Sequence, residues 1–182
     1  SLPAKVYTTK SDDVFIKRVN TYFQKTSKLS TGVMLSGIKG TGKTVMAKVI
    51  AKNSNLPIIV VDEDYPTGRI NDFFRKFETP VTIIFDEVDT GVSGDIADKM
   101  GDIMQELGTK MQVFAITHLP QIAAKGQAHY FVYKKDTKDR TLTRIKQLEG
   151  EERVNEVARM LSGASLTEAS LANAKDLLGI KD

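Results

Sequence analysis

The sequence predicts an α/β fold: a three-layer sandwich with a mainly parallel sheet, an edge hairpin and C-terminal helices. Three observations predict it. From Thr31 to Ile116, short runs that are apolar on both faces alternate with stretches of helical spacing. Such runs read as strands buried on both faces and joined by helical crossovers. A Gly-rich turn joins the first apolar run to the helical stretch after it. Beyond Ala128 the pattern changes to two neighbouring strand-like segments followed by two helices.

The elements follow in order. Asp12 to Lys28 carries Val14, Phe15, Val19, Tyr22 and Phe23 at the spacing of a helix with one buried face, with Ser11 or Asp12 as its cap. Thr31 to Ser36 reads as a buried strand, and Lys43 to Asn53 as the helix after the Gly-rich turn. Pro57 to Asp62 is β-branched and reads as the second strand. Thr67 to Phe77 has helical spacing through Ile70, Phe73, Phe74 and Phe77. Val81 to Phe85 is a third strand, ending in Asp86 and Glu87. Ile96 to Leu107 is a helix and Val113 to Ile116 a fourth strand. Tyr130 to Lys134 and Thr141 to Leu148 form an edge hairpin around a polar turn. Helices over Glu151 to Leu161 and Leu166 to Leu178 close the chain, the last capped by Ser165 or Thr167.

A chain of 182 residues suits one domain, residues 1–182, with a full core. With 41% hydrophobic and 27% charged residues it has the balance of a globular protein. Its longest apolar runs are too short to cross a bilayer, so no membrane role is expected. No stretch near the start resembles a signal peptide, and there is no Cys for disulfides or thiolate metal sites. A cytoplasmic setting is the expectation. The chain opens on Ser1 rather than Met, as an excised piece would. A net charge of +3 permits an anionic ligand without demanding DNA.

Gly37-Ile38-Lys39-Gly40-Thr41-Gly42-Lys43-Thr44 matches the G-x-x-x-x-G-K-[ST] pattern at every position, between a strand and a helix. The chemistry explains the residue types. Glycines let backbone approach a phosphate where a Cβ would collide. The amides of Gly40, Gly42, Lys43 and Thr44 can form a nest of donors, and the helix adds its positive end. Lys43 can reach β- and γ-phosphates, and Thr44 offers a hydroxyl to Mg²⁺. The expected ligand is ATP with Mg²⁺.

About 40 residues later the third strand delivers Asp86 and Glu87 to the carboxyl edge of the sheet, where ligands of open α/β folds sit. Asp86 is expected to hold the Mg²⁺ shell and Glu87 to polarise an attacking water. His118 follows the fourth strand and is expected beside that strand end, facing the γ-phosphate or the water. His129 reads as structural, and Asp62, Glu63 and Asp64 as a solvated turn.

These residues resemble two families. Phe85-Asp86-Glu87-Val88-Asp89-Thr90-Gly91-Val92-Ser93-Gly94, Ile116-Thr117-His118-Leu119-Pro120-Gln121-Ile122-Ala123-Ala124, Glu151-Glu152-Arg153-Val154 and Ala158-Arg159-Met160-Leu161-Ser162-Gly163 resemble RecN, a bacterial double-strand-break repair ATPase family related to SMC proteins. This covers roughly the last 95 residues. It implies that Asp86 and Glu87 are Walker B, Asp89 to Gly94 a D-loop, and His118 a switch histidine. The first half departs from RecN. No LSGGE-type signature precedes Asp86, and the P-loop lies close by instead of beyond a coiled coil. Lys5 to Thr82 instead resembles a compact, phage-like AAA+ ATPase, through Gly32-Val33-Met34-Leu35-Ser36-Gly37 and Thr82-Ile83-Ile84-Phe85-Asp86-Glu87. The two resemblances imply a chimera of an AAA+-like half (1–85) and a RecN-like half (86–182), joined near a Walker B strand expected to lie beside the P-loop strand.

Both families imply help from a second subunit. No Arg lies between Asp86 and Arg140, where a finger would be expected, and no Gln lies between the P-loop and Walker B. Slow turnover is therefore expected, with self-association through the nucleotide face. Arg69, Arg75, Arg140 and Arg144 are candidate substitutes that read better as surface residues. Lys134, Lys135, Lys138, Arg140, Arg144 and Lys146 make the hairpin basic. Without an aromatic ladder it reads as a solvated edge more than a DNA contact. Three functions stay open: a weak ATPase, a nucleotide-dependent assembly module, and a folded chimera without a physiological task.

Overall fold

The computed structural model describes residues 32–52, 55–61, 81–136, 141–163 and 165–180. The expected helices over Asp12 to Lys28 and Thr67 to Phe77 lie outside them, as do Asp62, Glu63, Asp64, Arg69, Arg75, Lys138 and Arg140.

The described elements are β1 (Gly32–Ser36), α1 (Lys43–Lys52), β2 (Ile58–Val61), β3 (Thr82–Asp86), α2 (Gly94–Leu107), β4 (Gln112–Ile116), α3 (Pro120–Lys125), β5 (Ala128–Asp136), β6 (Thr141–Leu148), α4 (Gly150–Ser162) and α5 (Glu168–Leu177). They follow the expected order with one addition. The six residues of α3 are too few to show a helical period, and only Pro120 in the first turn signals a start. The hairpin strand β5 begins earlier and runs longer than expected.

One six-stranded sheet has the order β2-β3-β4-β1-β5-β6. All neighbours are parallel except β5 and β6, which form the antiparallel edge hairpin. One expectation is overturned: β3 does not lie beside β1, because β4 is inserted between them and pairs with both. The residues of β3 fit two parallel neighbours, since Thr82, Ile83, Ile84 and Phe85 are all buried.

Alternation along the strands builds the layers. Val33 and Leu35 of β1 pack with Met46, Ala47 and Ile50 of α1 on one face. Met34, between them, joins the opposite face with Ala97, Met100 and Met104 of α2 and Ile122 of α3. Val157 and Ala158 of α4 meet Ala174 of α5 in a smaller cluster. Thr167 caps α5 in a reciprocal box with Ser170, as one of the two expected caps. The connection out of β1 thus passes over one face, and the one out of β4 over the other. Their carboxyl ends form the crevice at which open α/β sheets take ligands.

Candidate nucleotide-binding site

The Gly-rich loop leaves β1 in conformations that demand its glycines. Gly37, Gly40 and Gly42 have φ of 139°, 80° and 93°, values that L side chains rarely adopt. At Gly37 space is also closed, since a Cβ would stand 2.0 Å from the carbonyl oxygen of Val132 on β5. Thr41 is buried and turns its hydroxyl back to the Ile38 carbonyl at 2.8 Å. Thr143 of β6 donates to the Thr41 carbonyl at 3.0 Å. The hairpin is therefore a buttress of the loop as well as a sheet edge. Ile38 stands at the loop tip, 76% exposed, beside exposed Lys39.

Lys43 opens α1 and is buried. Its Nζ donates to the carbonyls of Gly37 at 3.0 Å and Ile38 at 3.4 Å, and stands 3.7 Å from Glu87 Oε1. A buried ammonium needs such partners. Thr44 donates its hydroxyl to Asp86 Oδ1 at 2.8 Å. Glu87 follows β3 with a φ of 53°, a left-handed backbone uncommon outside glycine. Its amide donates to the Ile116 carbonyl at 3.0 Å, tying the ends of β3 and β4. Strain of this kind gathers at functional sites.

The structure thus brings Lys43, Thr44, Asp86 and Glu87 together. It puts His118 just past the end of β4, beside β3, with no hydrogen bond or ion pair to those four. The described polar contact of the His118 ring is to Asp89, 3.9 Å from Nδ1. His129 is structural in placement. It is buried, with Nε2 2.9 Å from Ser36 Oγ, which donates to Glu156 Oε1 at 3.3 Å. Burial, reinforced by the charge of Arg153, pushes the His129 pKa down to about 4. Burial raises the Glu156 carboxyl, against the pull of Ser36 and Arg159. Sequence reasoning missed the parts played by Ser36, Thr143, Glu156 and Val132, and no local pattern marks them.

Phe131 and Tyr133 of β5 stack at 5.7 Å, a single pair beside the basic residues of the hairpin. They share a face with their cross-strand partners Lys146 and Arg144. Lys146 is paired with Glu152 of α4, which offsets part of that charge.

The donor set fits a small hard cation. Among the described residues no group of three or more His, Cys, Asp or Glu converges on one point. Thr44 and Asp86 supply two adjacent oxygens, the share that protein gives to Mg²⁺ when phosphates and water complete the shell.

The family model of the ATPase family associated with various cellular activities (AAA) matches residues 33–148, more than half of the chain, from within β1 to the end of β6. The chain belongs to this AAA ATPase family. Among curated proteins it is similar to the DNA repair protein RecN of Vibrio cholerae, 45% identical over 104 residues, covering 57% of this chain and 19% of that protein. It is also similar to RecN of Rickettsia typhi, 37% identical over 133 residues, covering 69% of this chain and 24% of that protein. Both stretches are longer than residues 86–182 can hold, so both resemblances reach upstream of Asp86. The chain spans about a fifth of the length of these relatives. Among solved structures, the RuvB Holliday junction branch migration motor of Thermotoga maritima superposes with a TM-score of 0.53 at 13% identity, covering 92% of this chain and 56% of that one. The ORC1 protein of Aeropyrum pernix, solved in complex with DNA, gives 0.51 at 12% identity, covering 93% of this chain and 65% of that one. These likenesses place the AAA ATPase chain in the P-loop α/β fold. No helix among the described residues is long and apolar enough to cross a membrane.

Proposed function

We propose that this AAA ATPase domain binds Mg²⁺-ATP at Gly37 to Thr44 and hydrolyses it slowly. The observation that carries the reading is the hydrogen bond from Thr44 to Asp86, at the mouth of a loop whose glycines alone permit its path. In this reading Lys43 leaves the loop carbonyls and Glu87 for the β- and γ-phosphates, whose charge replaces theirs. Thr44 and Asp86 would hold Mg²⁺, which would neutralise developing charge on phosphate oxygens. Glu87 accepts a proton from water as the water oxygen bonds to the γ-phosphorus. ADP departs with the electrons of the broken bond. His118 steadies the γ-phosphate or the water.

Slow turnover rests on the sequence from Glu87 to Asp139, which contains no Arg. An arginine at the transferring phosphate is worth about 10³–10⁵ in rate. A second subunit can supply it, and Ile38, 76% exposed beside the crevice, favours self-association through this face. A nucleotide-dependent assembly module is the second reading, carried by the same residue.

The similarity to RecN supports a role in DNA repair inside the cell, and the stacked pair on the basic hairpin supports DNA contact there. A composite origin is a further proposal, resting on the departure of the first half from the RecN pattern, with no signature motif ahead of Asp86. The placement of β4 removes the argument from adjacent strands, and the AAA match and both RecN matches run across Asp86.

The test is ATP binding and turnover across protein concentrations, beside Lys43→Ala and Glu87→Gln. The reading expects Lys43→Ala to abolish binding, and Glu87→Gln to keep binding while losing turnover by about 10²-fold or more. A rate per subunit that climbs with concentration supports a shared site. A wild-type protein that binds no ATP overturns the reading.

A further inference from the structure

Behind His118 lies a carboxylate that the proposed chemistry leaves unused. Asp89 follows β3 by three residues and is 1% exposed. Its Oδ2 accepts from the Thr117 hydroxyl, which in turn accepts from the Leu119 amide at 2.9 Å. Its Oδ1 has no hydrogen-bond partner among the described residues, and His118 Nδ1 stands 3.9 Å away. Burial raises the Asp89 pKa, opposed first by His118 and then by the amides of Asp89, Leu119 and His118.

A buried carboxylate is costly, and here it is met by the Thr117 hydroxyl, by nearby backbone amides and, across 3.9 Å from Oδ1, by the His118 ring. A tie between the β3 and β4 ends needs only Oδ2 and Thr117. The second oxygen lies toward the His118 ring, just past the end of β4. A carboxylate that accepts from one ring nitrogen fixes which tautomer the imidazole adopts, and so the role of the other nitrogen. The separation of 3.9 Å is within ion-pair reach and longer than a hydrogen bond, and catalytic contacts of this kind tighten when ligand arrives.

We propose that Asp89 is the positioning residue for His118, clamping the turn after β4 through Thr117 and holding the ring by Nδ1 so that Nε2 is left for ligand. The proposal rests on the ATPase reading for what Nε2 meets, but not for the tautomer. With the ring held by Nδ1, the Asp89 carboxylate backs an imidazole that presents Nε2 to the phosphate.

Asp89→Asn separates clamp from charge. The asparagine oxygen can still accept from Thr117, while its NH₂ donates toward Nδ1 and inverts the tautomer. Long-range ¹H–¹⁵N correlation on the ¹⁵N-labelled full chain, without nucleotide and with the ring neutral, reads this directly. The expectation is Nδ1–H in the wild type and Nε2–H in Asp89→Asn. In turnover, Asp89→Asn should lower kcat about tenfold or more with KM for ATP within about twofold, and cost nothing further in a His118→Ala background. Should Asp89→Asn fail to fold, Thr117→Val loosens the clamp with the charge kept, and should mix the tautomers and lower kcat in the same sense. An identical tautomer in both proteins, or an equal loss with and without His118, overturns the proposal. If the wild type has no turnover, the ATPase reading falls and the tautomer alone decides this one.

Discussion

Thr44 and Asp86 meet at 2.8 Å across 42 positions of sequence, hydroxyl to carboxylate. Thr44 sits on the first turn of α1 and Asp86 at the end of β3, with β4 lying between that strand and β1. Two such oxygens side by side suit a shared cation. Asp86→Asn or Thr44→Ala should therefore weaken ATP binding about tenfold or more in Mg²⁺ and leave binding in chelator nearly unchanged. Calorimetric titration under both conditions checks this. An equal loss in chelator would assign the pair to loop structure alone.

Gly37→Ala should unfold the loop's anchor. The new methyl would meet the Val132 carbonyl at 2.0 Å on a backbone with φ of 139°. A loss of at least about 2 kcal/mol is expected, seen as a lowered urea midpoint. Gly40→Ala meets no atom within 4 Å and has φ of 80°, so its cost should be the smaller, backbone part alone.

Thr143→Val tests the buttress. The hydroxyl that holds the Thr41 carbonyl is lost while the shape is kept. Stability should fall by about 1 kcal/mol, and ATP affinity several-fold as the loop loses its support. Unchanged affinity at lowered stability would confine Thr143 to a structural part.

His129 makes the fold sensitive to mild acid. Its folded pKa of about 4 lies below the ordinary 6.5 of the unfolded chain. The unfolded state binds the proton first, so this stabilisation is present above about pH 6.5 and is lost as pH falls toward 4. The full loss is roughly 3 kcal/mol. Asp89 and Glu156, both raised by burial, act in the opposite sense as they protonate. The difference between wild type and His129→Gln in urea melts from pH 7 to pH 4 isolates the histidine. Parallel curves would remove it as the cause.

Much of this protein is legible residue by residue. Runs such as Thr82 to Phe85 are apolar or small at every position because both faces of a central strand are buried, and that demand is local. The Gly37 to Thr44 pattern is local too, because positive φ and close backbone approach are needs of single residues. Placing Asp86 and Glu87 at a strand's carboxyl end required only the end of an apolar run. The tertiary structure alone decided the rest. Strand order inserted β4 between β3 and β1, and nothing along the chain encodes which strands become neighbours. Packing brought Val132 and Thr143 against the loop, joined Ser36 to His129 and Glu156, and set Asp89 behind His118. Each of these contacts joins residues far apart in sequence. They carry no period and no spacing, and they form only once the hydrophobic layers have closed around them.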